Sequence, residues 1–457
     1  MSTSSVRAAE LAVIGEVYTS TTLWPSMQTL CDDYNGRFVG SEDERNAAAY
    51  IAGQLRRYGL SNVHTEAFDI HGWERGEATL IANGHPLQCI GLPGTPPCDL
   101  TAPLINLGAG EPADFAKAGK TAKGKIVLVR SVGSHRLEKY ARSVKAGCVG
   151  FVFAGPDLGS LPHTGSIDFG GAAPLPGVGI AQETYLRLER MLALGSVSVA
   201  LNVQARLFPT QGLNVIGDIV PAGADSLSGD YLLLCAHYDG HDIAQGAVDN
   251  ATGTVAVMEA ARALMQVRDQ LNIGIRVALW SGEEVGMIGS GAYAVQHKAE
   301  LKRLRLVFNC DIVSNPGPLW MGINGVDIER VTQFFRELAD GAGTHSQVHA
   351  LQITGNEMIV PYSDHFPFYM QGVPALMVAT PHGQHPGMGP HTPADTLDKV
   401  NVHGLRTSTA FVARALLHLA HDPAPLPTRQ ASKAEVQTTL KEAGYDVLLK
   451  AQGRWKF

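Results

Sequence analysis

Residues 275–286 read IRVALWSGEEVG. A short apolar run ends in Ser281-Gly282, a turn signal, and two adjacent glutamates follow. A run that is apolar on both sides reads as a strand covered on both faces, as in a parallel sheet between layers of helices. Glu283 and Glu284 pose the chemical question. Like charges at one spot repel, and each resists burial. Either both face water or something cationic sits between them.

The neighbouring sequence repeats this grammar. Apolar strands are predicted at 231–236, 275–280, 304–310 and 374–380, with helices at 252–267, 286–298 and 328–340 between them. That alternation predicts an α/β fold of three layers, helices on both faces of a mostly parallel mixed sheet. Upstream, Ser41 is a predicted N-cap for a helix that opens on Glu42, Asp43 and Glu44 and stops at Gly59. The strand NVHTEAFDI (62–70) follows it. Residues 72–208, bounded by Gly and Pro, carry their own strand–helix–strand pattern and read as an inserted α/β module. No cluster with ligand spacing is visible inside it. The expected layout is one discontinuous domain over 1–71 and 209–425, the insert at 72–208, and a tail at 426–457. In that tail Ser432 and Glu435 predict a capping box.

Composition narrows the class. The 457 residues are 45% hydrophobic and 17% charged, with a formal charge of −7. That is globular and mildly acidic, which argues against a nucleic-acid partner. No apolar run is long enough to span a membrane. Glu10 and Glu16 interrupt the N-terminal apolar stretch, so it is not a secretory leader. The expected location is therefore cytoplasmic, or secreted if a leader has been removed. The six cysteines form no CxxC pair, which disfavours a thiolate metal site. Cys235 and Cys310 read as core thiols, and Cys89 and Cys98 could pair only in an oxidising compartment.

In an open parallel sheet, ligands bind beyond the carboxyl ends of the strands. His237 and Asp239 follow the first apolar strand, Glu283 and Glu284 the second, and Asp311 the third. His391 lies in the GPHTPADTLD loop after the fourth. Asp249, in GAVDNATG, stands before the next helix. Each has an ordinary reading alone: Asp249 as a helix-entry residue, a lone His as a turn residue, Glu-Glu as a solvated pair. Together they converge on one rim, and these short motifs hold no Lys or Arg to balance the acids. Taken as ligands, His237, Asp249, Glu284, Asp311 and His391 supply three negative charges. Two divalent ions would leave +1, which a bridging hydroxide balances. Mixed imidazole and carboxylate donors suit zinc, with cobalt or manganese as substitutes.

The motifs HYDG, GAVDNATG, SGEEVGMIGS, NCDIV, YSDHFPF and HTPADT, in that order, resemble those of the co-catalytic dinuclear zinc aminopeptidases. That family includes glutamate carboxypeptidase-like enzymes and the glutaminyl cyclases. GRFVGSEDERNAAAYIAGQL (36–55) is similar to the family's N-terminal segment, and the insert resembles a protease-associated (PA) domain. The resemblance implies the zinc-exopeptidase fold and two Zn2+ per chain. It places His237 and Asp311 on one ion, Glu284 and His391 on the other, and Asp249 between them. Glu283 would be the general base toward a metal-bridging hydroxide, and Asp239 would fix the His237 tautomer through a hydrogen bond. A cis peptide would follow Asp249.

The implied activity is release of N-terminal residues from peptides. A carboxypeptidase, a dipeptidase or a hydrolase of non-peptide amides would use the same centre. A one-zinc glutaminyl cyclase and an inactive receptor-like homologue are further alternatives, both disfavoured by five intact ligand positions. Asn356, Glu357, Tyr362 and Ser363 are candidates for the substrate cleft. His241, His365, His382 and His385 are expected at the surface or beside the ligands. A homo-oligomer is open.

Overall fold

The computed structural model describes residues 3–314, 320–340, 352–356, 358–379 and 389–457. His382, His385 and Glu357 lie outside the described residues. Among the described residues, the main sheet has eight strands. In spatial order they are Ser61–Glu74, Arg206–Ile219, Gly274–Trp280, Tyr231–His237, Leu304–Asp311, Ala375–Ala379, Trp320–Asn324 and Gln352–Thr354. The four central strands, from Gly274–Trp280 to Ala375–Ala379, run parallel, while antiparallel pairings flank them.

Every residue of Tyr231–His237 and of Gly274–Trp280 is buried. Their side chains alternate between two layers, as the two-residue period of a strand requires. Leu232, Leu234 and Ala236 join a core made with helices Thr3–Tyr18, Glu42–Arg57, Thr252–Met265 and Val402–His421. Tyr231, Leu233 and Cys235 pack on the other face, against Tyr293 of helix Ile288–Gln296 and Val436 and Leu440 of helix Lys433–Glu442. This is the three-layer α/β/α arrangement that the apolar strands predict.

Local signals act where they were read. The Ser41 hydroxyl accepts the backbone N–H of Glu44 at 3.0 Å, and Gly59 stops that helix at φ +88°. Ser432 and Glu435 form the reciprocal capping box. Cys89 and Cys98 are free thiols, as are the other four cysteines. Among the described residues, no helix is long and apolar enough to cross a membrane.

A second eight-stranded sheet lies between residues 78 and 203 of the chain. The chain leaves the main sheet along Ser61–Glu74 and returns along Arg206–Ile219. These two strands form one antiparallel ladder from Ser61 opposite Asp218 to Glu74 opposite Arg206. Entry and exit are thus adjacent, so the main sheet stays continuous.

Candidate active site

The strand ends gather the predicted residues. His237 Nε2 lies 3.3 Å from Asp249 Oδ1 and 3.5 Å from Asp311 Oδ1. His391 Nε2 lies 3.2 Å from Asp249 Oδ2 and 3.4 Å from Glu284 Oε2. Two donor groups result, His237–Asp249–Asp311 and His241–Glu284–His391. Asp249 presents one oxygen to each.

Neighbouring groups hold these side chains. The carboxylate of Asp395 accepts the backbone N–H groups of Val248 at 2.7 Å and Asp249 at 3.1 Å. The peptide bond between Asp249 and Asn250 is cis. The Asn250 side chain donates to the Cys310 carbonyl and accepts from Gly253 and Ile312, tying this turn to the end of the Asp311 strand. Ser363 donates to Asp311 Oδ2 at 2.8 Å and accepts from Asn309. His391 sits at φ +60°, a left-handed backbone uncommon for a residue with a side chain.

Asp239 acts differently from expectation. The partner of His237 Nδ1 is the Asp239 backbone carbonyl at 3.0 Å, and the carboxylate stands off at 3.6 Å. That carboxylate instead accepts the backbone N–H groups of Glu283 and Glu284, at 3.2 and 3.3 Å. Asp239 therefore orients the Glu-Glu turn as well as the imidazole, leaving His237 Nε2 for the donor group.

The buried imidazoles and carboxylates shift one another's proton affinities. Burial would depress His237, but Asp239, Asp249 and Asp311 outweigh it and hold its imidazole well above the ordinary value. Burial opposes ionisation of Asp249, yet His237 and His391 hold its carboxyl well below the usual range. Glu283 is pushed well up by burial, with Asp364, Glu284 and Asp311 adding to it against His237. Burial also raises Glu284, against the pull of His391.

Metal geometry fits the spacing. Donors about 2.1 Å from a tetrahedral zinc lie about 3.4 Å from one another. The four contacts of 3.2–3.5 Å among His237, Asp249, Asp311, Glu284 and His391 match that edge. Glu284 Oε1 and both ring nitrogens of His241 are buried with no hydrogen-bond partner. Buried polar atoms are rarely left so, and a cation between the groups would give Glu284 and one ring nitrogen of His241 a partner.

A cavity of about 540 Å³ opens over this centre. Glu283, Tyr362 and Ser363 line it, although the Ser363 hydroxyl is committed to Asp311. Asn356 does not line it; the residue is exposed and its amide exchanges two hydrogen bonds with the Gly325 backbone. The insert, which showed no ligand spacing, supplies His135, Arg136, Ser166 and Phe169 to the wall. His135 stacks on Tyr362 at 3.9 Å. Arg454 of the tail lies over Phe169 and Phe366 and donates to the Pro361 carbonyl. His241 and His365, expected at the surface or beside ligands, are both buried, and His241 lies 2.9 Å from Glu284. Burial, then His391 and Arg136, keep the His241 ring neutral.

A mixed α/β sheet carrying such a rim of buried imidazoles and carboxylates defines a metal-dependent hydrolase. Residues 214–416 match peptidase family M28, and residues 100–188 match the PA domain. The M28 match covers all the donor residues of the rim, and the PA match falls inside the insert. The chain is similar to leucine aminopeptidase 2 of Trichophyton equinum, 26% identical over 86% of this chain and 81% of that one. Mouse (Mus musculus) carboxypeptidase Q is 27% identical over 62% of this chain and 63% of its own. The solved zinc aminopeptidase of Bacillus subtilis superposes with a TM-score of 0.68 at 26% identity, covering 90% of this chain and 96% of that one.

Proposed function

We propose that this chain is a dinuclear zinc aminopeptidase. The observation that carries the reading is Asp249, whose two oxygens face the two donor groups separately. His237 and Asp311 would hold one ion, Glu284 and His391 the other, and Asp249 both. When bound, such ions make water a nucleophile at neutral pH and polarise the scissile carbonyl.

Glu283 belongs to neither donor group and lines the cavity beside both. Its buried carboxyl has a raised proton affinity, which suits a general base. It takes a proton from the attacking water and delivers it to the nitrogen of the leaving amine. Asp239 keeps Glu283 in place through the backbone N–H. The names of the Trichophyton and Bacillus relatives favour an N-terminal substrate.

Arg136 supports a second reading on the same centre, a dipeptidase or carboxypeptidase. Its guanidinium lines the cavity, held by the carbonyls of Ser166 and Thr164. A side chain at Gly165 would collide with it, a Cβ lying 2.1 Å away. Burial lowers Arg136 to about 10, so it stays cationic at neutral pH. A free substrate carboxylate is the group it would pair with. The relative named carboxypeptidase Q fits this reading.

The test is metal analysis with a substrate panel. Two zinc per chain, and chelator-sensitive cleavage that requires a free amine, are expected. Cleavage of N-blocked substrates with free carboxylates, lost in Arg136→Leu, would favour the second reading. A chain binding no stoichiometric divalent metal refutes both.

A further inference from the structure

We infer that His241 is a sixth metal ligand, completing the ion position of Glu284 and His391. The inference rests on the two-ion reading above and adds a donor that the sequence motifs do not assign.

His241 lies in the loop after strand Tyr231–His237 and is 4% exposed. Both of its ring nitrogens lack a hydrogen-bond partner. Nε2 is 2.9 Å from Glu284 Oε2, yet the two atoms are not aligned as donor and acceptor. A buried imidazole with two unsatisfied nitrogens is costly to the fold unless something else takes up a lone pair. The ring also stands edge-on to His391, with centroids 4.6 Å apart. Donors at right angles around a zinc, about 2.1 Å from it, are separated by about 3.0 Å. The 2.9 Å spacing is that of a five-coordinate edge, shorter than the tetrahedral one.

The loop is built to hold this ring still. Arg75 donates to both carboxylate oxygens of Asp242, at 2.8 and 2.6 Å. Arg37 donates to the carbonyls of Tyr238, Gln245 and Gly246. Gly36 passes so close that a Cβ there would lie 2.1 Å from the His241 carbonyl oxygen. Phe38 stacks on the imidazole at 6.3 Å. A ligand fixed before the ion arrives loses little entropy on binding it.

His241 is also placed so as not to obstruct substrate. It does not line the large cavity; it borders a separate small cleft with Glu284, His391 and Asp395. It faces the donor group from that cleft, not from the large cavity. The open coordination site that hydrolysis needs is thus left toward Glu283.

The experiment loads the full chain with Co2+. In wild type, hyperfine-shifted imidazole N–H signals from three histidines are expected, and His241→Gln should remove one set. The variant should also bind its second cobalt more than about 100-fold more weakly, beyond the 10–100-fold typical of a residue that only supports a ligand. Its visible cobalt absorption should change intensity as the coordination number falls. Two histidine signals in the two-cobalt wild type would overturn the inference whatever the variant does. So would an unchanged cobalt spectrum in a folded, fully loaded variant. Wild type that takes up only one cobalt would instead remove the two-ion reading beneath it.

Discussion

Asp395 places both carboxylate oxygens on the backbone of the Asp249 turn, accepting the N–H of Asp249 at 3.1 Å and that of Val248 at 2.7 Å. Two buried acids, one four residues past His391 and one at the Asp249 turn, are thereby linked through main-chain hydrogen bonds. Burial first, with Asp249 adding to it, raises Asp395 to about 7. Asp395→Ala should remove the hold on Asp249 and weaken metal binding by about 10–100-fold. Titration with a competing chelator measures this. Unchanged affinity would leave Asp395 no part in placing Asp249.

Glu283→Gln keeps the shape of the turn, because the contact with Asp239 is made by the Glu283 backbone. Metal content should therefore stay at the wild-type level. Removing the proton acceptor should lower kcat by about 10²–10⁴-fold. Steady-state kinetics alongside metal analysis separates the two effects; near wild-type kcat takes the base role from Glu283.

Arg37 is 1% exposed and donates to five backbone carbonyls, of Leu30, Asn35, Tyr238, Gln245 and Gly246. Lysine has three donors on a point charge and cannot reproduce that fork. Arg37→Lys should cost roughly 2–4 kcal/mol, since buried carbonyls lose partners. It should also loosen the loop carrying His241. Denaturant unfolding of the metal-free chain reads the first effect, and metal affinity the second.

Glu10 gives the acid-side prediction. His418 and Arg414 hold its carboxylate down to about 2, with Arg7 assisting against burial. The Arg414 contact is 2.7 Å. A folded value below the unfolded one means that ionised Glu10 stabilises the fold above about pH 5. The contribution fades as pH falls from there toward 2. Glu10→Gln should therefore lower Tm at pH 6, with the gap to wild type narrowing by pH 3 and closing only near pH 2. A gap that is independent of pH would mean that the charge contributes nothing.

The sequence by itself determined the layered α/β fold and the rim. Strands buried on both faces must be apolar throughout, and residues at their carboxyl ends must share one edge. His237, Glu284, Asp311 and His391 were legible on that ground, and Asp249 from its place before a helix. The Glu42–Arg57 helix and the tail's capping box were legible because caps act over three or four residues. The rest depends on distance in space. Asp239's carboxylate serves Glu283 and Glu284, 44 and 45 residues away. Asp395 reaches back 146 residues to Asp249, and Arg37 reaches forward 201 residues to Tyr238. Arg136 meets the centre only because the antiparallel ladder of Ser61–Glu74 and Arg206–Ile219 carries the insert back over the strand ends. No local spacing encodes such contacts. Periodicity and capping report on neighbours in the chain, whereas the orientation of a ligand and the wall of a cavity are set by which segments the tertiary fold packs together.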